Sequence, residues 1–258
     1  MPFPNHPDKH RGEAIATPEH ASADRQERYD GNPADLPSAV VVCYSRSLMT
    51  SLMERHAGET VGHYYGDLYA FDETDGRVGV LGNFGIGAPT TAMLIDELVA
   101  DGVGTFLSVG IAGGLDHDVE MAEFVVCDRA IRDEGTSHHY VAPGRWATPD
   151  ETLTTHLTEF LDERDDPYHV GPSWTTDAIY RETVAEVERY AAEGVLTVEM
   201  EASAVFAVAE ARGVDAASMF VVSDYLGTEE WDRRFHLTDD HLRRLGDTAK
   251  DVLAATLD

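Results

Sequence analysis

The chain reads as a single α/β domain with a mainly parallel central mixed sheet flanked by helices. Short apolar, β-branched runs recur along its 258 residues, each followed by a segment whose apolar residues fall at helical spacing. That alternation is the pattern of a sheet covered on both faces. Gly102, Gly194 and Gly213 stand just past three of the helical segments, where a left-handed closing residue is wanted. The length is ample for one buried core, and no internal repeat is present.

Taken in order, residues 1–37 are rich in Pro, His, Asp, Glu and Ala with almost no aliphatic periodicity. They are expected to form an irregular acidic N-terminal extension, mobile or draped on the surface, with the α/β domain spanning 38–258. Ala39-Val-Val-Val-Cys43 is the first buried strand, and strand-like runs follow near Leu68–Phe71, Val78–Gly82, Thr105–Val109, Glu123–Cys127, Val195–Val198 and Ala217–Val222. Helical spacing predicts helices at about Leu48–His56, Thr90–Ala100, Glu151–Leu161, Glu182–Ala192 and Ala202–Arg212. A last helix presents Leu242, Leu245, Ala249, Val252, Leu253 and Leu257 on one face.

The chain carries 48 acidic against 19 basic residues, a net charge of −29, and its only lysines are Lys9 and Lys250. Self-repulsion on that scale opposes compaction in dilute buffer, and strong salt screens it to a few ångströms. The acids are spread along the whole chain, so the composition is that of a salt-adapted protein rather than of an acidic tail. Nucleic-acid binding is excluded for want of a basic stripe. No apolar run approaches the roughly 20 residues needed to cross a bilayer, and no signal-peptide core precedes the first strand, so a cytoplasmic protein without a membrane partner is expected. Cys43 and Cys127 sit in apolar strand-like runs and read as buried thiols of a reducing compartment. His138 and His139 are adjacent in an extended stretch and point different ways, so no metal site is expected.

The most informative stretch is Val195-Leu-Thr-Val-Glu-Met-Glu-Ala-Ser-Ala204. A short strand ends there in two carboxylates flanking a methionine and then enters an Ala-rich helix, which places polar groups at the carboxyl end of a strand, where open α/β sheets build ligand sites. Val-Glu-Met-Glu-Ala resembles the ribose-binding signature of the family that contains purine nucleoside and uridine phosphorylases. Val78-Gly-Val-Leu-Gly-Asn-Phe-Gly-Ile-Gly-Ala-Pro-Thr-Thr91 resembles that family's strand, glycine turn and helix ahead of the phosphate-site strand. His169-Val-Gly-Pro-Ser-Trp-Thr-Thr-Asp-Ala-Ile-Tyr180 is similar to its base-pocket segment, and Phe220-Val-Val-Ser-Asp224 to its last core strand. The resemblance covers roughly Ala39 to Leu257 in family order, which is more specific than any single motif. Together with the charge it implies a nucleoside phosphorylase-like fold of a halophilic archaeal kind.

The resemblance implies a nucleoside substrate, inorganic phosphate as co-substrate and no other cofactor. It further implies a homo-oligomer built from dimers, hexamers being common in the family. It puts Glu199, Met200 and Glu201 at the ribose, with Glu201 taking the hydroxyls and Met200 packing on the sugar. Ser223 and Asp224 fall at the base, where Asp224 assists its departure with help from a downstream arginine, Arg233 or Arg234. Trp174, Ile179 and Tyr180 are expected to wall the base. Thr183 and Ala185 stand where the uridine-specific branch has a Gln and an Arg, which favours a purine nucleoside of the guanosine or inosine type.

The expected phosphate site departs from the family pattern. Arg46 follows the first strand and keeps one cationic contact, but Ser108 stands in place of a second arginine and Ile111 in place of a hydroxyl residue. Gly110, Gly113 and Gly114 offer backbone amides and Ser108 a hydroxyl. Arg132, in Arg129-Ala-Ile-Arg-Asp-Glu-Gly-Thr-Ser-His-His-Tyr140, is the expected replacement for the missing cation; a local network of that loop is the alternative. Phosphorolysis to free base and ribose 1-phosphate is the reading preferred, because a bidentate guanidinium is what a buried anion needs. A hydrolytic nucleosidase, or a nucleoside-binding member that has lost catalysis, remains open at this point.

Overall fold

A computed structural model describes residues 4, 6, 8–28, 36–115, 119–164, 166–226, 231–233 and 238–257. The strands are β1 (Ala39–Cys43), β2 (Gly58–His63), β3 (Asp67–Phe71), β4 (Val78–Gly82), β5 (Thr105–Gly114), β6 (Phe124–Asp133), β7 (Trp146–Ala147), β8 (Tyr168–Thr176), β9 (Thr197–Glu199), β10 (Asp215–Leu226) and β11 (Trp231–Arg233). The helices are α1 (Pro18–Arg28), α2 (Arg46–Arg55), α3 (Ala88–Ala100), α4 (Glu151–Glu163), α5 (Val184–Ala192), α6 (Ala202–Arg212) and α7 (Asp239–Thr256).

All strands join one sheet. Strands β4, β1, β5 and β10 run parallel side by side, and β3 and β2 extend that edge antiparallel. Beyond β5 the sheet curls: β5, β10, β6, β8 and β9 pair in a closed circuit, with β10–β6 and β9–β5 antiparallel. The predicted mainly parallel order therefore holds for the central strands, and the flanks make the sheet mixed.

Alternation along β1 divides the core. Ala39, Val41 and Cys43 face a layer formed by α2, α4 and α7, whereas Val40 and Val42 face α3 and α6, as a period of two requires. The α6 sequence is apolar all round, and Ala202 to Ala209 are buried without a break, which fits a helix enclosed between sheet and neighbours. Both cysteines are buried free thiols.

The N-terminal extension is corrected in part. Pro18–Arg28 is helical and lies on α3, held by Arg25, which donates to Asp101 at 2.8 Å, pairs with Glu97 and stacks 4.5 Å over the Tyr64 ring. Aliphatic periodicity is weak there because polar and charged contacts, not an apolar stripe, dock the helix.

Candidate active site

The carboxyl ends of β1, β4, β5, β9 and β10 converge on a cavity of about 610 Å³, a size suited to a small organic ligand. Its lining includes Tyr44 and Ser45 after β1, Ile86 before α3, Gly110–Gly113 of β5, Val198–Glu201 after β9, and Ser223, Asp224 and Leu226 of β10. Ile179, Tyr180, Glu182, Val184 and Val187 close one side, and Trp231 of β11 another.

The two glutamates of the Glu-Met-Glu signature do different work. Glu199 is saturated: one oxygen accepts from Thr175 Oγ1 at 2.6 Å and Ser173 Oγ at 3.3 Å, the other from the backbone N–H of Glu201 and of Ala202, both at 2.7 Å. It thereby satisfies N–H groups at the start of α6. Glu201 accepts from the N–H of Gly87 at 2.6 Å. Gly87 precedes α3 at φ +105°, a conformation that favours glycine. Burial first, and the Glu199 charge second, push the Glu201 carboxyl up to about 8. Met200 lies between them in the lining.

At the opposite end the β10–β5 register slips by one residue between Val222 and Asp224. Such a bulge re-aims a side chain, and here it leaves Asp224 in the lining. Asp224 Oδ1 accepts from Ser223 Oγ at 2.6 Å and Oδ2 from Trp231 Nε1 at 2.5 Å. Gly113 lies beneath: a Cβ there would stand 2.4 Å from Leu226 Cδ1 and 3.5 Å from Asp224 Oδ2, so a larger residue would push the Leu226 side chain aside.

Glu199, Met200, Glu201, Ser223, Asp224, Ile179, Tyr180 and Gly110 are thus brought together. Four other expected residues are not. Trp174 is 1% exposed, 4.9 Å from the Tyr190 ring, and donates to Asp133 at 2.9 Å. Its strand neighbours Ser173 and Thr175 turn to Glu199, so alternation sends Trp174 to the opposite face, under α5. Ser108 is fully buried with its Oγ 2.9 Å from the Tyr44 hydroxyl, and Tyr44, not Ser108, reaches the cavity. Arg132 is buried within its own loop, donating to Ser137 Oγ at 2.9 Å and the Ala142 carbonyl at 2.8 Å, and Arg129 stacks 4.5 Å over Trp146. Arg132 thus spends its donors within its own segment, on a hydroxyl and a carbonyl and not on an acid. Arg46 is exposed at the first turn of α2, one residue beyond the lining residue Ser45. Arg233 lies opposite Asp224 in the strand register, but its side chain and all of Arg234 fall outside the described residues.

Tyr44, Glu182, Val184 and Trp231 escaped the sequence reading. Tyr44 was legible as the residue after a buried parallel strand. Trp231 was not, because nothing local announces the β10–β11 hairpin. Thr183, at the expected uracil-recognition position, instead caps α5 in a reciprocal pair with Glu186. Among the described residues no cluster of three or more His, Cys, Asp or Glu is placed to hold a metal ion, and no helix is long and apolar enough to cross a membrane.

The strand ends surround a carboxylate pair at one pole and a Ser-Asp bulge at the other, a ligand-sized site on an α/β scaffold. The family model of the phosphorylase superfamily matches residues 46–258, and the chain belongs to that superfamily. It is 36% identical over 152 residues to a guanosine phosphorylase of Halorubrum lacusprofundi, covering 59% of this chain and 63% of that protein. It is 38% identical over 96 residues to a uridine phosphorylase of Thermococcus kodakarensis, covering 37% and 35%. The chain thus aligns with less than two thirds of the length of either relative. Among solved structures, an AMP nucleosidase from Bacteroides thetaiotaomicron superposes with a TM-score of 0.75 at 18% identity, covering 93% of this chain and 99% of that one, which is a likeness of fold.

Proposed function

We propose that the cavity cleaves the N-glycosidic bond of a nucleoside, with phosphate as acceptor, giving free base and ribose 1-phosphate. The observation that carries this is Glu201: a buried carboxyl fixed by one backbone amide at the mouth of the sheet. Glycosidic cleavage gives the sugar oxocarbenium character. A carboxylate that accepts from the ribose hydroxyls strengthens its bonds as that charge develops. Met200 packs on the sugar and the base extends toward Ser223, Asp224 and Trp231, walled by Ile179, Val184 and Val187. Absence of the Gln and Arg at Thr183 and Ala185, with Asp224 at the base, favours a purine over uridine.

For the acceptor, the start of α2 at Ser45 and the backbone of Gly110–Gly113 support an anion, with Arg46 exposed one residue beyond the lining. Hydrolysis is the second reading, favoured by the uncharged lining where phosphate would sit: among the described residues no Arg or Lys lines the cavity, and Ile111 does. Large apolar side chains at the mouth, Ile86 at 61% and Tyr180 at 88% exposure among them, support a homo-oligomer that covers this rim. The acidic composition and buried thiols support a salt-adapted cytoplasmic enzyme. The test is base release from a panel of nucleosides in concentrated KCl, with and without phosphate. Ribose 1-phosphate formed only with phosphate is the expected product; free ribose at a rate indifferent to phosphate selects hydrolysis, and release from no nucleoside rejects the proposal.

A further inference from the structure

The cavity closes at its Ser-Asp end on the antiparallel pair β10 and β11. In that register Asp224 stands opposite Arg233, Tyr225 opposite Asp232 and Leu226 opposite Trp231. Alternation puts Asp224, Leu226 and Trp231 on one face, and all three line the cavity. Trp231 is therefore the diagonal neighbour of Asp224 across the pair, a separation that aromatic and long side chains span. Its indole does so, donating from Nε1 to Asp224 Oδ2 at 2.5 Å, while Ser223 Oγ donates to Oδ1 at 2.6 Å. A carboxyl held at both oxygens cannot turn about its Cβ–Cγ bond without losing a partner, and each oxygen keeps capacity to bond a ligand.

The two donors differ in origin. Ser223 is the chain neighbour of Asp224 and is 1% exposed, whereas Trp231 comes from a separate strand and is 45% exposed. Burial alone does not account for a large aromatic at the cavity mouth whose one polar atom meets the site's carboxyl. The other two of the chain's three tryptophans are placed elsewhere: Trp146 stacks against Arg129 and Arg145, and Trp174 packs on Tyr190. We infer that Trp231 is a positioning residue, setting the Asp224 carboxyl against the departing base through its indole N–H; the inference rests on the nucleoside-cleaving reading above. The one side chain walls the base with its ring and fixes Asp224 with its N–H. Without that N–H the base still binds but meets a misaligned Asp224, so the loss falls on kcat and not on KM.

The experiment measures kcat and KM for Trp231→Phe and Trp231→His, each alone and combined with Asp224→Ala, on inosine and on 7-methylguanosine, whose base carries a methyl at N7 and leaves without assistance there. Phe keeps an aromatic wall and removes the N–H. The five-membered ring of His places Nε2 where the indole has Nε1, and near pH 8 the imidazole is neutral. With inosine, Trp231→Phe should lose about tenfold or more in kcat with KM within about threefold, and Trp231→His should recover at least about threefold of that loss. With 7-methylguanosine, or beside Asp224→Ala, Trp231→Phe should cost no more than about twofold. Saturating guanine should change the tryptophan emission of wild type and leave that of Trp231→Phe unchanged. Wild-type kcat on inosine in Trp231→Phe, equal losses on both nucleosides or in both backgrounds, no recovery with His, or an emission change that survives Trp231→Phe would overturn the assignment and leave the nucleoside-cleaving reading standing. Wild-type cleavage of neither nucleoside would remove both.

Discussion

Replacing Glu201 by Gln should make the protein more stable in alkaline solution while impairing it as an enzyme. The carboxyl is held near 8 against an ordinary value of 4.5, chiefly by burial and then by the Glu199 charge, with the backbone amides of Gly87 and Met200 pulling back. A native-state value above the unfolded one means that between those pH values the native protein keeps a proton the unfolded chain has released. This contribution is full below about 4.5, is lost progressively as pH rises, and is exhausted above about 8. At about 1.36 kcal/mol per unit, the window corresponds to about 4–5 kcal/mol. Gln retains an oxygen for the Gly87 amide and has nothing to ionise. Thermal midpoints measured in molar KCl from about pH 5 to about pH 9 should therefore trace curves that coincide in acid and diverge in favour of the variant, reaching a Tm difference of about 10 °C. Parallel curves, or a wild type that gains on the variant as pH rises, would refute this reading of the buried pair.

Glu199→Gln should act in the opposite sense, because the charge-assisted bonds to the Glu201 and Ala202 amides are weakened; a loss of about 2 kcal/mol, seen as a Tm fall of several degrees, is expected together with lower turnover. Arg132→Ala should lower Tm by about 10 °C, since it leaves buried partners unsatisfied, without changing the phosphate KM of the folded enzyme. Arg46→Ala should do the reverse, leaving Tm within a degree or two and raising the phosphate KM about tenfold or more. With a net charge of −29, thermal midpoints should climb from low to molar KCl; a flat dependence would remove the salt-adaptation argument.

The sheet was legible wherever a strand is buried on both faces. The β1 run Ala39–Cys43 and the α6 boundaries at Ala202 and Arg212 coincide with the structure, because unbroken burial leaves a continuous apolar signature. The edge strand β2, Gly58–His63, carries no such signature, and β10 runs on to Leu226 through a bulge that no local pattern marks. Within the site, residues contributed by one contiguous motif, Glu199 to Glu201, were readable together. Trp174 belongs to the base-pocket segment but not to the cavity lining, because alternation along β8 turns Ser173 and Thr175 to Glu199 and packs Trp174 against Tyr190. Arg132 carries the charge an anion needs, but its donors go to Ser137 and the Ala142 carbonyl. Such pairings depend on residues brought together by folding, as with Tyr44 and Ser108, 2.9 Å apart across two strands.

The most direct test of the account is nucleoside cleavage by Glu201→Gln against wild type in concentrated KCl above about pH 8, where the Glu201 carboxyl is ionised. The account predicts that the variant folds, and that its turnover of a purine nucleoside falls by at least a few tens-fold because the ribose hydroxyls lose their charged acceptor as the sugar becomes cationic. Turnover equal to wild type, with the same KM, would contradict the placement of the sugar at Glu201 and with it the central claim.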